Sequence, residues 1–552
     1  VAVYGIDLGT TFCSVAYVER GQPRLVTLEG GGPTLASLVL LTSRGGPRAV
    51  VGSRAPSAYR ELVGEAERAP EDVVLVRGSK NHMGVGSSVY AGPPWRLGER
   101  ELYSTDIAAV ILRTLAEMVR ARPALPPLDG VVVSHPQRFR NREKLATGQA
   151  AKMAGLPLWG MITEPDAAGW AYGLHARAVG AQGTSQTFMV FDFGGGTLDV
   201  TLLRREGGPG VAQLHAIDSY GVQLGGLAID QRIRDALVTQ YAERASDHAF
   251  SLAAVNESTR ERLLELAEWF KISLNTDAGT DPSPLSRSRR RKFTPVFDQD
   301  TEGEEVTLEL SLAELSRSIG GELDRAMACA EEALRRASLD WSSLDEVLLT
   351  GGSSLLWPLQ QRMRERCPRV RIHDDPGHPL NPLTIVASGA AIHGAALAEG
   401  GARVGVALSG VVPDTFSVRA WEPSPESPGG RRAVLIPLVP AGTATPFVGR
   451  RTFSVRGGSS VLPVEVFEGR SEREATRVGE YRMTFPQPMP DGARAEVRLD
   501  VRSNGVLVLS VVDAATGTIQ EARLDDAPGL YSDEVLAARA SWLQSLRVDW
   551  NG

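Results

Sequence analysis

Phe191-Asp192-Phe193-Gly194-Gly195-Gly196-Thr197-Leu198-Asp199-Val200 lies between two apolar, strand-like runs. Three consecutive glycines at the bend let backbone N–H groups approach phosphate oxygens with no Cβ in the way. Asp192 and Asp199 can then hold a hydrated Mg²⁺, and Thr197 can hydrogen-bond a terminal phosphate. The plainer alternative is a glycine-rich hairpin turn.

Two further stretches repeat parts of this pattern. In Gly5-Ile6-Asp7-Leu8-Gly9-Thr10-Thr11-Phe12 a strand-like run ends in an Asp, then come a glycine and two hydroxyl residues, and a second strand-like run begins. Alone it reads as a structural turn as readily as a phosphate loop. Paired with the first stretch, it sets two carboxylates around a single metal. Leu348-Leu349-Thr350-Gly351-Gly352-Ser353-Ser354 closes another apolar run ahead of a helical pattern over 356–367. It carries no acid and suits the nucleoside side of a ligand. The glycine patterns of a Rossmann or Walker loop, GxGxxG and GxxxxGK[ST], are absent.

The 552 residues predict two to five domains at roughly 100–200 residues each. Hydrophobic residues at 42% and charged residues at 23% fit a globular chain and argue against disorder or a fibre. With 59 basic against 66 acidic residues the net charge is −7, which speaks against a general nucleic-acid binder. The three cysteines, Cys13, Cys329 and Cys367, show no metal-ligand spacing, as in a reducing compartment. No apolar run approaches the roughly 18 residues of a membrane span, and no basic region precedes an apolar stretch at the start. The expectation is a cytoplasmic protein with neither nucleic acid nor membrane as partner. Only five of the basic residues are lysines (80, 144, 152, 271 and 292), so a lysine can mark a site that needs a compact ammonium.

Strand-like and helical patterns alternate up to about residue 400, with helical spacing over 106–120 and 142–154, which reads as α/β layers. From about 411 short alternating runs take over: TFSVRAW, AVLIPLV, RTFSV, LPVEVFEG, RAEVRLDV, GVLVLSVVD and IQEARLD. Turn residues such as Pro425, Pro428, Gly429, Gly457, Gly458, Asn504 and Gly505 separate them, an antiparallel β reading. The Gly- and Ala-rich stretch between these regimes is the expected linker. Residues 277–305, with the run Arg287, Arg289, Arg290, Arg291 and Lys292, read as an irregular surface loop, or as a patch for an anionic partner. Residues 532–546 carry one amphipathic helix.

The order and spacing of the three glycine turns resemble the actin-like ATPase superfamily, and in detail the DnaK-type heat-shock chaperones of the seventy-kilodalton class. The stretch Ser134-His135-Pro136 through Ile162-Thr163-Glu164-Pro165-Asp166-Ala167-Ala168 to Ala171-Tyr172-Gly173 is similar to that family's interlobe segment, and Gly225-Gly226 with Asp230 to its GGxxhD turn. Leu435-Ile436-Pro437, Val464-Glu465-Val466-Phe467-Glu468-Gly469 and Asn504-Gly505-Val506-Leu507 resemble its peptide-binding domain. The resemblance covers about residues 1–528. It implies an α/β two-lobed actin-like ATPase domain over 1–398, a linker over 399–410, an antiparallel β-sandwich peptide-binding domain over 411–528, and a short C-terminal helix over 529–552 in place of the family's long lid.

Roles follow from the resemblance where residues match. Asp7 and Asp192 are implied to hold Mg²⁺ through water. Gly9, Thr10, Thr11 and Phe12 with Gly194, Gly195, Gly196 and Thr197 correspond to the phosphate loops. Lys80 corresponds to the lysine on the terminal phosphate and attacking water, Glu164 to the acid that positions that water, and Asp199 to a nearby catalytic carboxylate. Gly225, Gly226, Glu268, Lys271, Gly351, Gly352 and Ser353 fall on the nucleoside side, and Asn275 stands where the family has a Ser. Glu268 and Lys271 also suit a plain i,i+3 ion pair.

Several positions depart from the family. Leu355 replaces an Arg near adenine, and Leu383 replaces an Asp after Asn381-Pro382. Val406-Ala407-Leu408-Ser409-Gly410 lacks the acid of the family's linker. Gly160, Thr163 and Asp166 replace residues that receive a J-domain. Trp421 replaces a smaller arch residue and Leu462 a pocket Val. The expected function is an ATP-dependent, chaperone-like protein that binds ATP/ADP with Mg²⁺, hydrolyses ATP slowly, and holds an unfolded or dedicated client polypeptide. A nucleotide exchange factor is a candidate partner, and a J-domain partner is left open. The alternative is a nucleotide-sensing scaffold of the same family with little turnover.

Overall fold

The computed structural model describes residues 1–550 apart from 65–69, 85–94, 179–184, 207–211, 246–249, 277, 279–282, 298–300, 369–370, 374–377, 379, 400–405, 410–411, 413, 427–429, 456–458, 470, 503–506 and 525–529. The expected turns at Pro428, Gly429, Gly457, Gly458, Asn504 and Gly505, and most of the expected linker, lie outside the described residues.

Two sheets carry the same local plan. In the first, Val3–Asp7 pairs antiparallel with Phe12–Glu19 on one side and parallel with Gly130–His135 on the other. In the second, Gln186–Phe193 pairs antiparallel with Leu198–Glu206 and parallel with Glu346–Thr350. Parallel strands buried on both faces need near-continuous apolar runs. Gly130–His135 and Glu346–Thr350 are accordingly buried at every position. Each antiparallel hairpin therefore sits beside a central parallel strand, and its turn is delivered to the same end of its sheet.

The helices Glu164–Ala178 and Ile385–Ala398 join the two sheets through one apolar cluster that includes Val3, Val132, Ala167, Val190, Leu348 and Ile385. Small residues let these helices touch by backbone: a Cβ on Gly389 would stand 1.7 Å from the Ala167 carbonyl oxygen. That close crossing brings the two hairpin turns face to face.

From Val412 onward a separate cluster forms between two four-stranded antiparallel sheets. One is ordered Arg431–Val439, Thr415–Pro423, Ser459–Gly469, Thr476–Met489; the other Phe447–Ser454, Arg494–Val501, Leu507–Asp513, Ile519–Arg523. Seven of these eight strands match the alternating runs read from sequence. The eighth, Thr476–Met489, was not among them. Val478, Tyr481, Met483 and Phe485 alternate inward along it, but Gly479, Pro486 and Pro488 interrupt the pattern.

One other expectation is corrected. The basic segment is not irregular throughout: Ser288–Phe293 forms a hairpin with Val306–Ser311. Cross-strand acids explain why the run folds, since Arg290 meets Glu309 at 2.9 Å and Lys292 meets Glu305 at 2.6 Å, while Arg291 lies over the Trp269 ring. Within the expected linker, Val406–Ser409 is a strand that pairs parallel with Ala212–Val222 at the edge of the second sheet.

The sandwich meets the first layer at the start of the Asn141–Met153 helix. The Asn141 amide donates to Glu468 Oε2 at 2.9 Å, the Asn141 side chain donates to the Leu524 carbonyl at 2.9 Å, and Arg140 pairs with Asp414 at 3.3 Å. The C-terminal helix Asp533–Ser545 also packs on the first layer, not over the sandwich. Leu536, Leu543 and Leu546 enter the first apolar cluster, and Arg547–Asp549 adds a strand beside Arg48–Val51. Asp106, fully buried, accepts from Tyr531 Oη at 2.8 Å and from Arg539 at 2.5 Å. All three cysteines are buried.

Candidate functional site

The glycine turns meet in the cleft between the two sheets. A Cβ on Gly195 would stand 1.8 Å from Thr11 Oγ1, which seats the first turn directly on the second. A Cβ on Gly225 would stand 2.3 Å from the Gly195 carbonyl oxygen and the Gly196 nitrogen. Only glycine allows such approach. The Gly194 carbonyl accepts from Gly226 N–H at 3.0 Å and from Ser353 Oγ at 2.9 Å, and the Gly195 carbonyl from Leu227 N–H at 2.9 Å. The carbonyl side of the loop is thereby tied to the protein, the polarity that leaves amides for an anion.

Four carboxylates and one lysine gather on the cleft floor. Asp7 ends its strand, and Ser134 Oγ, from the neighbouring parallel strand, donates to Asp7 Oδ1 at 2.7 Å. Asp192 and Asp199 face each other across the hairpin as Cα partners. Glu164 opens its helix, and Lys80, on the short 3-10 turn Ser79–His82, forms a buried ion pair with it. Burial dominates the electrostatics. It pushes Asp7 up to about 6 and Asp199 up to about 7, and raises Asp192 well above the carboxylate range, with Glu164 adding repulsion in each case. Burial alone would lower Lys80, but Glu164, Asp7 and Asp192 outweigh it and hold the ammonium charged. Crowded acids of this kind call for a cation.

On the opposite wall, Lys271 Nζ pairs with Asp230 Oδ2 at 2.7 Å, so its partner is on the neighbouring helix Gly226–Arg244 and not Glu268 one turn away. Burial pushes Asp230 up to about 6, against the pull of Lys271. Glu268 lies half-buried on the same helix. Asn275 is engaged at both ends of its amide: Nδ2 donates to the Lys271 carbonyl and Oδ1 accepts from Trp357 N–H, each at 2.7 Å. It joins two helices and offers a ligand little. Gly351, with φ of 76°, turns the chain toward Gly352 and buried Ser353.

Asp7, Gly9, Thr10, Thr11, Phe12, Lys80, Glu164, Asp192, Gly194, Gly195, Gly196, Thr197 and Asp199 thus lie at the facing ends of the two sheets. Gly225, Gly226, Lys271, Gly351, Gly352 and Ser353 line the adjoining side. Sequence reasoning missed Ser134, Asn81 and Arg138. A Cβ on Gly196 would stand 1.7 Å from Asn81 Oδ1, so Asn81 covers the glycine loop beside Lys80. Adjacency to Lys80 and to the Ser134-His135-Pro136 stretch was the available signal.

Whether this cleft suits Mg²⁺ and a phosphate ester is answered by its orphan atoms. Asn81 Oδ1, Arg138 Nε, Asp199 Oδ2 and Asp230 Oδ1 are buried there with no hydrogen-bond partner in the protein. Buried polar atoms left unpaired are costly; the three oxygens suit water around a cation, and the Arg138 N–H can donate to an anion. Among the described residues no three His, Cys, Asp or Glu side chains converge on one metal position. Two carboxylates acting through water, as Mg²⁺ accepts, remain compatible with the arrangement.

A family model described as Hsp70 protein matches residues 88–541. The chain is 31% identical to "Chaperone protein DnaK 1" of Synechococcus sp. and 31% identical to "Chaperone protein dnaK3" of Synechococcus elongatus, covering 97% of this chain and 67% of each relative. It is 29% identical to "Heat shock 70 kDa protein 6, chloroplastic" of Arabidopsis thaliana, covering 97% of this chain and 70% of that protein. Among the described residues no helix is long and apolar enough to cross a membrane.

Proposed function

The chain belongs to the Hsp70 family, and from that premise we propose that it binds ATP with Mg²⁺, hydrolyses it slowly in the cleft between the two sheets, and holds unfolded or dedicated client polypeptide in the sandwich over 411–528. The observation that carries this reading is the meeting of Lys80, Glu164, Asp7, Asp192, Thr197 and Asp199 around mutually seated glycine loops. These residues come from segments far apart in the chain, and a purely structural role gives no reason to bury four carboxylates together.

Asp7 and Asp192 would hold Mg²⁺ through water, and the bound ion would supply charge neutralisation on phosphoryl oxygens. The glycine-loop amides and Thr10, Thr11 and Thr197 would bind the phosphates. Lys80 would neutralise charge on the terminal phosphoryl group, where a loose transition state spreads it over equatorial oxygens. Its ion pair with Glu164 keeps that acid at the cleft floor, suited to orient an attacking water. On the nucleoside side, Leu383 packs near Gly352, so apolar contact stands where the family uses charge.

Client binding rests on family membership and on the sandwich. An extended strand can add main-chain hydrogen bonds to a sheet edge, and Trp421, 59% exposed, lies on Thr415–Pro423. The reading as a nucleotide-sensing scaffold is favoured by a different observation: the sandwich and the C-terminal helix are both fastened to the first layer through buried polar contacts. Exchange factors remain the candidate partners that the family supplies, and the cytoplasm the expected compartment.

Single-turnover hydrolysis of ATP with Mg²⁺, with and without a short apolar peptide, separates the two readings. Hydrolysis that the peptide accelerates supports the chaperone reading. ATP that binds without being cleaved sinks it in favour of the scaffold.

A further inference from the structure

One charged side chain in the cleft has no role in the proposed hydrolysis. Arg138 lies in the turn between the Gly130–His135 strand and the Asn141–Met153 helix. Its Nε is buried without a hydrogen-bond partner. At 4.0 Å stands Asp199 Oδ2, also buried and also without one. The other oxygen of Asp199 faces Gly221, where a Cβ would lie 2.2 Å from Oδ1. The carboxylate therefore sits between a residue with no side chain and a guanidinium, with the Thr197 hydroxyl also hydrogen-bonded to it.

The surrounding charges leave Arg138 as the cation for this acid. Glu164 and Asp192 repel Asp199, and Lys80 attracts it but is committed to the ion pair with Glu164. A separation of 4.0 Å is too long for a hydrogen bond. Closure by about 1 Å, or a single bridging water, satisfies both orphan atoms at once. A guanidinium suits this task better than an ammonium, because its planar fork can hold a carboxylate while other N–H groups point elsewhere.

Resting on the hydrolysis reading above, we propose that Arg138 is a positioning residue: it pairs with Asp199 across the cleft and fixes the orientation of that carboxylate toward the reacting phosphate and water. The residue acts through Asp199, and Gly221 provides the room for the required rotamer.

The test is a double-mutant cycle on the full chain with Arg138→Gln, Asp199→Asn and the double variant, plus Arg138→Lys as the conservative change. Single-turnover hydrolysis and calorimetric ADP binding are both measured. Arg138→Gln should slow the chemical step roughly 10- to 100-fold, the order of loss seen when a catalytic group is misplaced by about 1 Å, while ADP binding changes far less. Arg138→Lys should recover part of the rate, and Arg138→Gln should cost little more once Asp199→Asn is in place. Losses that multiply independently, or a loss of ADP binding as large as the loss of rate, overturn the proposal. If the parent chain cleaves no ATP, the proposed function fails by itself. The pairing is then judged by urea midpoints of the same four proteins without nucleotide, where additive shifts overturn it and non-additive shifts uphold it.

Discussion

Replacing Glu468 by glutamine should stabilise the protein above neutral pH, by an amount that shrinks steadily toward acid. Glu468 is 1% exposed where the sandwich meets the Asn141–Met153 helix. Its Oε2 accepts from the Asn141 amide, while Oε1 is buried with no protein partner. Burial pushes its pKa up to about 7 from the ordinary 4.5; Lys144 and the Asn141 bond pull it down, while Asp414 and Glu143 push it up. The folded protein therefore holds this proton more tightly than the unfolded chain. The resulting stabilisation is complete below about 4.5 and is lost as pH rises through about 7. Between about pH 5.5 and about pH 8.5 the loss amounts to about 2 kcal/mol by linkage. Glutamine has no such proton to lose. The assay is urea unfolding of the parent and Glu468→Gln at both pH values. The advantage of the variant should grow by about 2 kcal/mol toward the alkaline side. An advantage that stays constant, or grows toward acid, would refute the reasoning. Amide exchange at Asn141 gives a local check on the same contact.

Arg539→Ala strips buried Asp106 of its cation, leaving Tyr531 Oη and the Tyr103 amide as the donors on Oδ2, and should cost about 3 kcal/mol; unchanged urea stability and unchanged protease resistance of the C-terminal helix would count against the contact. Gly389→Ala forces a methyl into the Ala167 carbonyl and should cost on the order of 3 kcal/mol. A melting temperature equal to the parent's would show that the helix crossing is looser than described. Lys80→Ala should slow single-turnover hydrolysis roughly 100-fold with a smaller effect on nucleotide affinity, and parent-like turnover would remove Lys80 from the machinery.

Much of the fold was legible because its signals are local. The runs around Phe191–Val200 and Gly5–Phe12 alternate or stay apolar over a strand length, and glycines mark the bends between them. The sandwich strands carry period-two alternation, and the one that escaped, Thr476–Met489, is the one that Gly479, Pro486 and Pro488 interrupt. The basic run was misread for the opposite reason. Arg289 to Lys292 look like loop until Glu305 and Glu309 arrive from the facing strand, a pairing that no local window contains.

Scarcity of lysine carried a partial signal. Lys80 and Lys271 are each committed to a largely buried carboxylate, but Lys152 and Lys292 make exposed pairs that an arginine would serve as well. The candidate site was legible as three glycine turns and a set of acids. Its electrostatics were not, since desolvation depends on how tightly the two sheets close.

By itself the sequence determined the strand–glycine–strand turns, the α/β and β regimes, and the residue types offered to the cleft, because backbone propensity and hydrophobic period act over a few neighbours. Only the tertiary structure decided partners: that Lys80 pairs with Glu164, that Lys271 takes Asp230 and not Glu268, that Arg138 faces Asp199, and that the last helix locks onto Asp106. Such pairings join residues tens to hundreds of positions apart. Their energies come from shared burial, which exists only after the chain has closed around them.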